Sequence, residues 1–297
     1  MDLSSGAPAP HPTAAAFFAA LDAKRSSTRQ NAALQRRSQS LGWRNRYSQN
    51  EQYPVSMQTL NRSVEFSVRQ VQRGEVEGTY GTGATVWPAA MVLLKYLEGN
   101  PHLVEGKRVV DLGSGTGLTS LAAAILGASH VVCTDGEDSV VRLAYENCHQ
   151  AVHTQIEPSD VQKKSSSLEQ EPVVMGNCPI VVQKYWWGTQ PLPDDQCDVI
   201  LVADCVLPKL YPIAPLVQAI DEILRIKADD MRNERVAILS YEHRYYPEYD
   251  PRTKFRELAQ TRGLVVETIS ASVLDPVYSV DDIEIWHVTK QSDESRC

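Results

Sequence analysis

The chain has 297 residues, 42% of them hydrophobic, which suffices for one sizeable α/β domain with appendages or for two small domains. A formal net charge of −8 argues against a nucleic-acid backbone as the main partner, and no apolar run approaches the roughly 18–20 residues of a membrane span. The charge is uneven: residues 1–50 carry seven Lys and Arg against two Asp and Glu, so the remainder sums to −13, an acidic body that suits a basic, lysine-bearing protein surface.

In chain order, residues 1–12 are rich in Ala, Pro and Ser and are expected to be disordered. Thr13 can cap a helix that starts at Ala14 and carries a small apolar face of Phe17, Phe18 and Leu21; residues 1–50 as a whole read as a basic, Ala/Ser/Arg-rich N-terminal extension. From Val64 to Val86 the pattern predicts strand, turn, strand, with Gly81-Thr-Gly83 as the break. A helix then opens near Val86 with Pro88 in its first turn and ends at Gly99-Asn-Pro101.

Repeated strand–helix units follow. Strand 108–112 precedes helix 118–126, strand 130–134 precedes helix 138–150, and residues 180–184 form a third strand. The fourth strand, Asp198–Ala203, is apolar enough to be buried on both faces and leads into helix 213–226. Strand 235–240 and helix 253–261 come next. Strands 264–269 and 283–288 have no helix between them, so they form an antiparallel hairpin. The fold class is therefore α/β: a Rossmann-like, doubly wound, seven-stranded sheet, mostly parallel with a C-terminal antiparallel hairpin. This domain spans 51–290 and leaves a tail at 291–297. A polar insertion at 153–178 reads as disordered rim, with a substrate-contacting lid as the alternative.

The stretch that organises the chain is Arg108-Val-Val-Asp-Leu-Gly-Ser-Gly-Thr-Gly-Leu118. A β-branched run ends in an acid and three alternate glycines, and a helix starts. Glycine permits φ > 0 and lets a ligand approach without a Cβ in the way, and the helix start offers N–H groups. A second strand ends in Asp135, about twenty residues past the glycines, where a doubly wound fold sets an acid on a ribose diol. The spacing is G-x-G-x-G, not the G-x-G-x-x-G of dinucleotide binders, and no Lys-Ser/Thr pair follows to make a P-loop.

Four motifs resemble the class I, seven-β-strand methyltransferases, and more narrowly the eukaryotic methyltransferase family 16, whose members largely methylate protein lysines. They are Val86-Trp-Pro-Ala-Ala90, Val110-Asp-Leu-Gly-Ser-Gly-Thr-Gly-Leu118, Val132-Cys-Thr-Asp135 with Asn147 after it, and Trp187-Gly188 followed by Ala203-Asp-Cys-Val206. The resemblance covers residues 60–290 and implies S-adenosyl-L-methionine as cofactor. It puts Trp87 against the cofactor near its methionine end. Gly113, Ser114, Gly115 and Gly117 form the turn beneath it, and Asp111 orients that turn. Asp135 takes the ribose hydroxyls, Trp187 faces the adenine, Ala203 leaves room, and Trp186 is structural. Asp204 is the residue expected at the reaction centre, orienting the acceptor amine. Arg244 matches a basic position common in the family.

One departure matters. The family usually has Asp/Glu-x-x-Tyr/Phe where this chain has Asp204-Cys-Val-Leu207, so a ring face for the substrate amine is lost unless Tyr211 or Tyr241 supplies it in space. The implied activity is transfer of a methyl group to a lysine of a protein substrate by a monomer. A small-molecule or N-terminal-amine acceptor is the alternative, and a non-catalytic scaffold the rival from another class. The six cysteines form no CxxC pair or zinc spacing and the seven histidines no HxH or HExxH set. No metal is expected, and the thiols fit a reducing compartment, the cytoplasm, with the nucleus as the alternative. The Arg- and Ser-bearing N-terminus leaves a mitochondrial transit peptide open.

Overall fold

The computed structural model describes residues 42–71, 81–155, 171–208, 210–225, 235–247 and 249–291. The expected N-terminal helix, the middle of the 153–178 insertion and nearly all of the tail lie outside them. The chain divides into two compact units, Met1–Trp43 and Arg44–Cys297, and the strands and helices named below lie in the second.

Two short strands come first, β1 (Gln52–Gln58) and β2 (Ser63–Arg69), paired antiparallel with Tyr53 opposite Val68, Val55 opposite Phe66 and Met57 opposite Val64. Those six side chains are buried and the intervening residues face outward, the period-2 pattern of a half-buried hairpin. The expected strand at 64–69 is present. Its partner precedes it, whereas residues 81–87 form turns and an extended lead-in to a helix instead of the expected second strand. Pro54 lies inside the first strand and masks its alternation; Pro is tolerated there because this is an edge.

Among the described residues the main sheet has eight strands. β3 (Arg108–Leu112), β4 (His130–Asp135), β6 (Cys178–Lys184), β7 (Val199–Ala203) and β8 (Val236–Glu242) are parallel. β9 (Leu264–Thr268) and β10 (Ile283–Lys290) are antiparallel to each other, with β10 inserted between β8 and β9, giving the order β5-β6-β4-β3-β7-β8-β10-β9. The eighth strand, β5 (Val173–Met175), was not foreseen: it lies in the segment read as polar insertion. Gly176, at φ 60°, and Asn177 make a two-residue turn that folds it back on β6 with Met175 opposite Cys178.

The helices are α1 (Pro88–Gly99), α2 (Leu118–Ile125), α3 (Asp138–Gln155), α4 (Ile213–Arg225) and α5 (Pro251–Thr261). α4 and α5 bury Leu216, Ile220, Ile223, Phe255 and Ala259 in one core with Val110, Ile200, Leu239 and Trp286 of the sheet. The chain runs outward from β3 through β4 to β6, then returns to β7 on the other side of β3. That reversal opens a crevice at the carboxyl ends of β3 and β7, where open α/β sheets bind ligands. Asn147 of α3 braces the crevice from behind. Its side-chain amide donates to the carbonyls of Arg69 and Thr116, both at 2.9 Å, and its oxygen accepts the Arg69 N–H at 2.7 Å, tying the β1–β2 hairpin to the glycine turn.

Candidate active site

The turn after β3 is built from three left-handed glycines, Gly113, Gly115 and Gly117, at φ 70°, 57° and 80°. Space as well as conformation demands glycine at two of them. A Cβ on Gly113 would lie 2.7 Å from Cys205 Sγ and 3.0 Å from the Trp187 ring, and one on Gly115 would lie 2.6 Å from the Gly83 carbonyl oxygen. The Ser114 N–H donates to the Thr134 carbonyl at 2.8 Å, which locks the turn to β4.

At the end of β4, Asp135 accepts the Gly115 N–H (3.2 Å) on one oxygen and the Glu137 N–H (3.2 Å) on the other. Burial raises its pKa, and the backbone N–H groups of Glu137 and Gly115 oppose that rise. Trp87 sits in extended conformation just before α1, whose first turn begins with Pro88, and its indole N–H donates to the Thr82 carbonyl at 2.9 Å. Trp187 packs edge-on against Tyr211 with ring centroids 5.6 Å apart, and the Tyr211 hydroxyl hydrogen-bonds Thr82.

Asp204 follows β7. Among the described residues it is the one non-glycine with positive φ, 56°. An Asp in the left-handed region is tolerated better than most residues but still marks a site where the surroundings over-determine the backbone. Its carboxylate is gripped by both nitrogens of the Arg244 fork, at 2.7 and 2.5 Å.

Of the ten residues expected in the site, eight line one cavity: Trp87, Gly113, Ser114, Gly115, Asp135, Trp187, Ala203 and Asp204. Asp111 and Gly117 do not line it. Gly117 is the residue before α2 and faces Ala144 and Cys148. Asp111 is fully buried under the turn, and one of its oxygens accepts the hydroxyls of Thr119 (2.6 Å) and Ser120 (2.7 Å), so its contacts are with the start of α2. Trp186, read as structural, is half exposed, lies against Gly136 and lines the cavity too. Of the two tyrosines considered in place of the missing ring, Tyr211 lines the cavity, whereas Tyr241 is buried in the core, stacked on Trp286 at 4.8 Å. Sequence reasoning missed Gly83 and Tyr185. The Gly81-Thr-Gly83 break was the available signal for the first, since a glycine turn before a Trp-Pro helix start also permits close approach.

Burial pushes the Asp111 carboxyl up to about 6, against the lowering effect of the two hydroxyls. Because this folded-state value lies above the unfolded one, near 3.9, the neutral acid is full strength below about pH 4 and its stabilisation is lost as pH rises through about 6. Urea unfolding of Asp111→Asn beside wild type checks this. The variant does not titrate there, so its stability relative to wild type should rise by roughly 3 kcal/mol between pH 4 and pH 7.

The residues fit the nucleoside that the family resemblance implies. The turn leaves a cradle that a Cβ at 113 or 115 would fill, an acid stands at the strand end, and indole planes line the wall.

Comparisons with known proteins agree with this geometry. The family model described as lysine methyltransferase matches residues 70–255. The chain is 42% identical over 76 residues to the protein-lysine N-methyltransferase EFM3 of Chaetomium thermophilum, covering 25% of this chain and 23% of that protein. It is 27% identical over 214 residues to the protein N-terminal and lysine N-methyltransferase EFM7 of Gibberella zeae, covering 69% and 76%. With the protein N-lysine methyltransferase METTL21A of Danio rerio it shares 40% over 84 residues, 27% of this chain and 38% of that one. The chain thus spans well under half the length of two of these three relatives. With 70–255 enclosing the glycine turn, Asp135 and Asp204, the chain belongs to the lysine methyltransferase family.

Proposed function

We propose that this protein is an S-adenosylmethionine-dependent N-methyltransferase that acts, as a monomer, on a lysine side chain of a protein substrate. The observation that carries the reading is the convergence of the glycine turn, Asp135, Trp87, Trp187 and Asp204 on one cavity at the carboxyl ends of β3, β4 and β7. Bound there, S-adenosylmethionine supplies a methyl group on a sulfonium centre. The protein's residues do the rest. Asp135 would accept the ribose hydroxyls, the turn at 113–115 would let the backbone approach, and Trp187 would offer its ring to the adenine. Asp111 and Gly117 act indirectly, by holding the turn to α2. Glu137, which follows the strand end, and Trp186 flank the same side.

The acceptor must react as a neutral amine, whereas a free lysine titrates near pH 10.4. The acceptor enters as an ammonium that the carboxylate at 204 orients; desolvation against Trp87, Leu207 and Tyr211 favours loss of its proton to solvent, after which the carboxylate accepts a hydrogen bond from the neutral amine. No covalent intermediate is needed: holding the amine in line and excluding water can supply roughly 7–11 kcal/mol. The acidic body beyond residue 50 supports a basic protein surface as the partner and speaks against nucleic acid.

Calorimetry tests the pocket. Asp135→Ala should weaken S-adenosylmethionine binding by about 1.5–3 kcal/mol, and unchanged affinity would remove Asp135 from the site. Incubation with labelled S-adenosylmethionine and a cell lysate, followed by mass spectrometry, tests the acceptor. Label on lysine side chains supports the reading; label confined to protein N-termini supports a second one. That second reading is favoured by Leu207 in place of a ring, and by the relative named for both N-terminal and lysine methylation, which matches 69% of this chain.

A further inference from the structure

Asp204 is one of the residues that line the cavity, its side chain has 0% exposed surface, and Arg244 spans both of its oxygens. The same guanidinium carbon stands 5.6 Å from the centroid of the Trp87 ring. A carboxylate paired with an indole face is the composition of a cation site. Trp87 therefore offers the ring that is absent at Leu207, and its own position is set by the bond from its indole N–H to the Thr82 carbonyl.

Arg244 also touches a second carboxylate. Its Nη2 is 3.1 Å from Glu242 Oε2, and Nη1 donates to the Glu242 carbonyl at 3.4 Å. Glu242 is in turn 3.9 Å from Arg44, which forks onto Asp282 at 2.8 and 2.7 Å. The result is an alternating row, Asp282, Arg44, Glu242, Arg244, Asp204. These five side chains carry three negative and two positive charges, so one added cation brings them to neutrality. Burial and the neighbouring Asp204 raise the Glu242 pKa, and Arg244 and Arg44 oppose that rise.

Resting on the lysine methyltransferase reading above, we propose that Asp204 and the Trp87 face form the site for the acceptor's alkylammonium, and that Arg244 is its built-in occupant, displaced onto Glu242 when the acceptor enters. Glu242 and Arg44 are positioning residues: they hold the second seat for Arg244 and do not touch the acceptor. Selection follows from the exchange. A neutral side chain cannot replace the guanidinium on Asp204 without leaving a buried carboxylate unpaired, so an alkylammonium is admitted and an alcohol or amide is refused.

The test uses the full chain and n-butylammonium chloride, which carries the lysine headgroup, titrated in the presence of saturating S-adenosylhomocysteine. Calorimetric binding of S-adenosylmethionine is measured first; its failure sinks the methyltransferase reading and is distinct from anything that follows. Arg244→Ala should bind butylammonium at least fivefold more tightly than wild type, since the competitor is gone. Glu242→Gln should bind it about fivefold more weakly, since Arg244 has lost its second seat. The double variant should match Arg244→Ala within twofold, a coupling that a merely structural Glu242 would not produce. Asp204→Asn should lose the binding. Unchanged or weaker binding in Arg244→Ala overturns the proposal. Should that variant fail to fold, Glu242→Gln decides by itself: a fivefold weakening supports the exchange, and wild-type affinity overturns it.

Discussion

Gly115→Ala should weaken S-adenosylmethionine binding at least a hundredfold, about 2.7 kcal/mol, the largest effect expected from a single methyl group in this protein. Two costs combine. The added Cβ would stand 2.6 Å from the carbonyl oxygen of Gly83, a backbone atom that cannot rotate away, so the 81–83 turn must shift. Overpacking of this kind costs roughly 1–3 kcal/mol. The residue also sits at φ 57°, where an L side chain costs about 1–2 kcal/mol. Both residues of the clash line the cavity, and the Gly115 N–H is one of the donors that aim Asp135. The strain therefore falls on the ribose end of the site. Gly117→Ala is the control. Its φ of 80° brings the backbone cost, but its Cβ would meet only ordinary contacts at 3.5 Å with Ala144 and Cys148. It should destabilise by about 1–2 kcal/mol and reduce affinity less than tenfold. Calorimetry on both variants decides, and equal losses in the two would show that the 83–115 contact does not shape the pocket.

Asp221→Ala should lower the unfolding free energy by about 3 kcal/mol while sparing cofactor affinity. Asp221 lies on α4 with 1% of its surface exposed. One oxygen accepts from Arg225 Nε at 2.8 Å and Lys290 at 2.7 Å, and the other faces Arg225 Nη2 at 2.8 Å and Arg262 at 3.3 Å. The carboxylate thus ties α4 to the end of α5 and the last residue of β10. The partners are 34–56% exposed and can be rehydrated, which keeps the loss at the low end for a broken buried pair. Burial alone would raise the Asp221 pKa, but the hydrogen bonds from Lys290 and Arg225 outweigh it and the net shift is downward. A depressed folded-state value means stability that is present above the unfolded pKa, near 3.9, and is lost as pH falls below it. Acid unfolding of wild type should therefore be steeper than that of Asp221→Ala below about pH 4. Urea unfolding at pH 7 and pH 3 measures both. A gap between the two proteins that is the same at both pH values would remove the ion cluster from the account.

These two residues differ in how visible they were. Gly115 stands in a motif whose chemistry follows from residue type alone, since three alternate glycines after a β-branched run require left-handed backbone wherever they occur. Asp221 reads from sequence as an ordinary helix acid with Arg225 four residues on; Arg262 and Lys290 are remote in sequence and meet it only through the packing of α4 and β10. The same split divides the site. Asp135 was legible because strand-end position and spacing from the glycines are local facts. The pairing of Arg244 with Asp204 was not, because the two lie forty positions apart, just past the ends of the neighbouring strands β7 and β8, and residue type says only that each is charged.

The sequence by itself determined the five parallel strands and the closing antiparallel pair, the glycine turn, and the acid that ends β4. Each is written in hydrophobic period, β-branching or obligatory φ, which act over a few residues. Only the tertiary structure decided that β1 pairs with β2 outside the main sheet, that Asp111 holds the turn through the hydroxyls of α2, and that Arg244 both grips Asp204 and stands over the Trp87 ring. These depend on which groups meet after burial. A carboxylate's role is set by the cation that packing brings to it, and local spacing along the chain does not encode that meeting.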